Sequence, residues 1–95
     1  MDTSEEWVMA WTDLILDSTA MSEAAGQGDL AELRFRACSI AVRARRHGLH
    51  ELSRIAVALI DTLGFRSDVA PSAYAKPVEE IARQVDAIGR ERGTR

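Results

Sequence analysis

The stretch 28–52, GDLAELRFRACSIAVRARRHGLHEL, constrains the chain most, because it carries both ends of a helix and a full apolar stripe between them. Asp29 can accept from the N–H groups of a first turn, and Glu32 stands three residues on, at capping-box spacing. Apolar residues then recur at Leu30, Leu33, Ala37, Ile40, Ala41 and Ala44, one face of a helical period. His47-Gly48 closes the run. Glycine accepts the left-handed turn that ends a helix, and Arg45, Arg46 and His47 lie where the helix dipole favours cations. The spacing predicts a helix over 29–47, with Leu49 opening another.

The same reading finds three further helices. The first runs near 4–25, capped by Ser4 or Thr3, with Glu5 and Glu6 in its first turn and Trp7, Val8, Trp11, Leu14, Ile15 and Met21 facing inward. Both tryptophans thereby belong to the core, and Met9 and Leu16 fall on the opposite side. The next, 49–63, turns Leu52, Ile55, Ala56, Leu59, Ile60 and Leu63 inward and stops at Gly64. Residues 65–76 read as a loop around Pro71 that packs Phe65 and Tyr74 on the bundle. Pro77 suits the first position of a last helix, 77–91, whose inward stripe is Val78, Ile81, Ala82, Val85 and Ile88. Residues 89–95 fray into a basic tail. No segment alternates at period two. The expected fold is all-α, one domain over 1–95, an antiparallel up-down four-helix bundle.

A hydrophobic content of 46% against 28% charged residues suits a globular domain and argues against disorder. A single cysteine makes no internal disulfide. No basic start leads into an apolar h-region, and no apolar run approaches the roughly 20 residues that span a bilayer, so a cytoplasmic protein is expected. The net charge of −3 is unevenly spread: residues 1–29 hold seven acids and no Lys or Arg, whereas the remainder holds all 12 basic residues against eight acids. An acidic first helix beside a basic second one follows.

Chemistry has few candidates. Cys38 lies about 100° from Ala37 around the helix, on the flank of the buried stripe, and reads as a small, partly buried residue. Mid-helix, it lacks the N-terminal field that activates a thiol. His47 and His50 read as helix-end residues, and no acid or cysteine stands near them at metal-ligand spacing. No enzyme, cofactor or metal is expected. Opposite the buried stripe of 29–47 lie Phe35, Ser39, Val42 and Arg46, with Cys38 and Arg45 beside them. An apolar patch rimmed by arginines has the composition of a protein interface, unless residues 65–76 cover Phe35.

This stretch resembles the signature of histidine-containing phosphotransfer (HPt) domains. Gly28-Asp29 stands where that family opens its helix, position 38 nine residues after Asp29 is the place of the phospho-accepting histidine, and Gly48 follows ten residues later. Here position 38 is cysteine, and the family's Lys and Gly a turn later are Ala41 and Val42. The resemblance implies a degenerate member, a four-helix module of two-component or phosphorelay signalling. Such a module binds a response-regulator receiver domain or a histidine kinase through Phe35, Cys38, Ser39, Val42, Arg45 and Arg46 without carrying the phosphoryl group. A second register, His50-Glu51-Leu52, would allow phosphotransfer through His50. A nucleic-acid reading through Arg34, Arg36, Arg43, Arg45 and Arg46 meets an acidic first helix and arginines scattered around the whole helix. A self-assembling subunit, through Met9 and Leu16 or through Phe35 and Val42, is the remaining alternative.

Overall fold

Four α-helices make up the computed structural model, which describes the backbone of residues 3–93 and the side chains of 5–91: α1 (Thr3–Gln27), α2 (Leu30–Arg46), α3 (His50–Leu63) and α4 (Pro71–Gly93). Among the described residues there is no strand. The first two connections are made by glycine and one hydrogen-bond pattern used twice. Gly28 takes φ 69°, and the N–H of Asp29 donates back to the Ala24 carbonyl at 2.9 Å. Gly48 takes φ 71°, and the N–H of Leu49 donates to the Ala44 carbonyl at 2.8 Å. Each bond satisfies a carbonyl that the helix end would otherwise leave open, and Leu49 is buried against the core.

Asp29 caps α2 as its position predicts, accepting from the Glu32 N–H at 3.1 Å. Only that half of the capping box forms, because the Asp29 N–H already serves Ala24 and Glu32 reaches Arg36 instead. Thr3 is already helical, so neither Ser4 nor Thr3 is the cap of α1, and what precedes Thr3 lies outside the described residues.

Each helix packs on its neighbour in sequence, and α4 closes back onto α1. The body measures 44 × 19 × 18 Å, long enough for the roughly 37 Å of a 25-residue helix laid along it. One cluster fills the middle: Leu14 and Met21 of α1, Leu33 and Ile40 of α2, Leu52, Leu59 and Leu63 of α3, and Tyr74, Ile81 and Val85 of α4. The inward stripes expected for α2 and α3 are those buried, with Leu30 and Ile60 at the margin.

Other expectations are corrected as well. Val8 is exposed, not inward, because α1 turns Ala10, Leu14, Asp17 and Met21 to its neighbours and Val8 falls outside that arc. Phe65 does not pack on the bundle; it is 100% exposed. The connection is 64–70, not 65–76, since α4 begins at Pro71 and carries Pro77 inside it. Tyr74 is buried as expected, but from the first turns of this helix. Its burial with Val69 and Val78 outweighs the proline rule. Of the expected tail 89–95, residues 89–93 are helical rather than frayed and Gly89 is buried, while 94 and 95 lie outside the described residues.

Pro77 leaves the Ala73 carbonyl without its helical donor and crowds it with the ring. Pro77→Ala is therefore expected to stabilise the fold by about 1 kcal/mol, the interior-proline cost exceeding the lost restraint on the unfolded chain. Urea unfolding reads this directly; a midpoint that falls would mean the ring itself is needed by the core.

Candidate protein-binding face on α2

Helix α2 has a committed side and an uncommitted one. On the side facing α1, Asp17 is only 5% exposed and accepts three hydrogen bonds: Arg36 Nη1 at 2.8 Å, Ser39 Oγ at 2.6 Å and Arg43 Nη1 at 2.9 Å. Arg43 also reaches Asp13 at 3.6 Å, and Arg36 is held from its own helix by Glu32 at 2.7 Å. The carboxylate of Glu32, then that of Asp17, hold the Arg36 guanidinium above its usual pKa, so it stays charged at any working pH. Among the described residues no buried side-chain nitrogen or oxygen lacks a partner. The seam is a satisfied polar layer between two helices. Its signal was present in the sequence: Asp17 sits at helical spacing between Leu14 and Met21, facing Arg36, Ser39 and Arg43 at spacings of three and four.

The outward side is different. Phe35 and Val42 are each 61% exposed, seven residues apart, and Cys38 lies exposed between them. Together with Ser39, Arg43 and Arg46 they line a shallow open groove along α2. Residues 65–76 do not cover Phe35. Arg36 stacks its guanidinium over the Phe35 ring at 5.3 Å, which steadies the ring without hiding it. Arg45 and Arg46 are exposed at the C-terminal end of the face. Ser39 turns toward the seam, its hydroxyl donating to Asp17 and accepting from Arg43.

A second, mainly apolar depression adjoins the first across Phe35 and Cys38, and its far wall is Ile60, Gly64 and Phe65. Arg34 builds that wall by donating from Nε to the Gly64 carbonyl and from Nη2 to the Arg66 carbonyl. The turn after α3 is thus pinned with Phe65 pointing to solvent. No feature of the sequence signals this, because the clamp joins residues some 30 positions apart. Arg34, Arg36 and Arg43 are therefore engaged inside the fold, leaving Arg45 and Arg46 free of carboxylates among the described residues.

His47 lies edge-on to the Trp7 ring at 6.1 Å, closing the end of the α1–α2 contact. His50 is exposed at the start of α3. No helix among the described residues is long and apolar enough to cross a membrane. Compared with protein-family models, curated proteins and solved structures, the chain matches none of them.

Proposed function

We propose that this chain is an HPt-like protein-interaction module, an antiparallel up-down bundle. It docks a receiver domain or a sensor kinase on the outward face of α2 and does not carry the phosphoryl group. The observation that carries this reading is the exposed row Phe35–Cys38–Val42 on a helix whose core and seam are already complete. Large apolar side chains left in water beside free arginines suit a partner with an apolar centre and an acidic surround. The antiparallel sense is supported by the pairs Trp7–His47, Asp13–Arg43 and Asp17–Arg36, where rising numbers on α1 meet falling numbers on α2. Cys38 stands at the place the resemblance gives to the accepting histidine, and Ala41 offers no cation to a phosphoryl group there.

The test is a pull-down against a panel of receiver domains and histidine kinases, followed by kinetics on any binder. Phe35→Ala is expected to remove binding, an aromatic anchor being worth about 2 kcal/mol or more, while the unfolding free energy stays within about 0.5 kcal/mol of wild type. Arg46→Glu is expected to slow association, most at low salt. Incubation with a phosphorylated donor is expected to leave no acid-labile phosphate on the chain. Label that disappears in His50→Ala would instead assign phosphotransfer to His50. No binder in the panel, or binding indifferent to Phe35→Ala, sinks the docking reading.

A further inference from the structure

We propose that two copies of this chain associate side to side, α1 of each lying against α2 of the other about a two-fold axis parallel to the helices. Two exposed apolar stripes lie on this side of the bundle. On α1 they are Met9 and Leu16, 63% and 60% exposed; on α2 they are Phe35 and Val42. Met9 lines one depression with Glu6, Asp13, Arg43, Arg46 and His47, and Phe35 and Val42 line the neighbouring groove that shares Arg43 and Arg46 with it, so the two stripes flank the same row of α2 residues at the α1–α2 seam. The residues of each pair are seven apart, a rise of roughly 10.5 Å on either helix, so the stripes match in length.

Charge selects the pairing. Helix α1 carries Glu5, Glu6, Asp13, Asp17 and Glu23 and no Lys or Arg, whereas α2 carries five arginines against the single acid Glu32. Asp17 is satisfied within its own chain, and Glu5, Glu6 and Glu23 are exposed, as are Arg45 and Arg46. Placing α1 on α1 of the second copy would set acids against acids. Arg34, Arg36 and Arg43 are engaged within their own chain, so placing α1 on α2 of the second copy brings Glu5 and Glu6 toward the exposed Arg45 and Arg46 at both contacts. An axis parallel to the helices keeps the levels fixed within each chain by Asp13–Arg43 and Asp17–Ser39. Leu16 of one copy then meets the second copy near Ser39, between Phe35 and Val42. The arrangement uses every stripe once and closes, so it forms a dimer and not a filament.

Self-association and partner docking share Phe35 and Val42 and therefore exclude each other, whereas Met9 and Leu16 serve the dimer alone. Sedimentation velocity on the full chain over a range of concentrations is the test. Wild type is expected to be a dimer that weakens as salt rises. Leu16→Asp and Met9→Asp are expected to raise the dissociation constant more than about tenfold, with helix content by circular dichroism unchanged. Separately prepared Leu16→Cys and Val42→Cys chains, each also Cys38→Ser, are expected to cross-link on mixing, and neither alone. A wild-type monomer at every concentration overturns the proposal. So does a dimer that survives Leu16→Asp but is lost on Val57→Asp, which would move the contact to α3. Leu16→Asp that still binds a receiver while monomeric separates this proposal from the docking reading.

Discussion

Gly89→Ala is expected to destabilise the bundle by about 2 kcal/mol or more, although alanine is the better helix former. A methyl group built on Gly89 would lie 2.0 Å from Cζ2 and 2.2 Å from Cε2 of the Trp11 indole, distances no real Cβ tolerates. The indole cannot simply swing away, because its Nε1 donates to the Val85 carbonyl at 3.2 Å, one turn before Gly89 on α4. Relief requires α1 and α4 to part or the indole to leave its bond, and either opens the core at Leu14 and Val85. The helix-propensity gain of about 1 kcal/mol is the smaller effect. Gly26, helical and with open space around it, is the control in which only that gain operates. Urea unfolding followed by tryptophan fluorescence measures both. In a Trp11→Ala background, itself destabilised by loss of the indole, Gly89→Ala should cost little or nothing further, since the obstacle is gone. A Gly89→Ala protein as stable as wild type would show that the indole is not wedged there.

Asp17→Ala is the second large effect, an expected loss of about 2 kcal/mol or more. The carboxylate gathers Arg36, Ser39 and Arg43, and its removal leaves their donors facing one another across a nearly closed seam. Complete burial would make the loss larger, but both arginines keep about a third of their side chains in solvent and can turn to water. Asp17→Asn should fall between wild type and alanine, keeping an acceptor for Ser39 and losing the charge. Chemical unfolding monitored by circular dichroism checks the order. If Asp17→Ala unfolds within about 0.5 kcal/mol of wild type, the seam is a surface feature with no structural weight.

Much of α2 was legible from residue order because its causes are local. A carboxylate at Asp29 caps the N–H groups of the turn that follows it, and Gly28 and Gly48 adopt positive φ where other residues resist. A helical period separates Leu33, Ala37 and Ile40 from Phe35 and Val42 whatever lies across the core, so the exposed row of the candidate face could be read in advance. The start of α4 was misread for a related reason. Pro77 is a strong local signal, and nothing local announces that burying Tyr74 outweighs it.

What residue order alone determined is the number of helices, most of their ends, and which side of α2 is apolar core and which is left in water. Only the tertiary structure decided the rest. The inward turn of Ser39, the wedge of Trp11 against Gly89 and the clamp by which Arg34 displays Phe65 each join different elements of the fold. Caps and periodicity act within one helix, over a few residues. A glycine's lack of room, or an arginine's choice of carbonyl, depends on which helix stands opposite and at what height, and that is settled only when four stripes pack into one core.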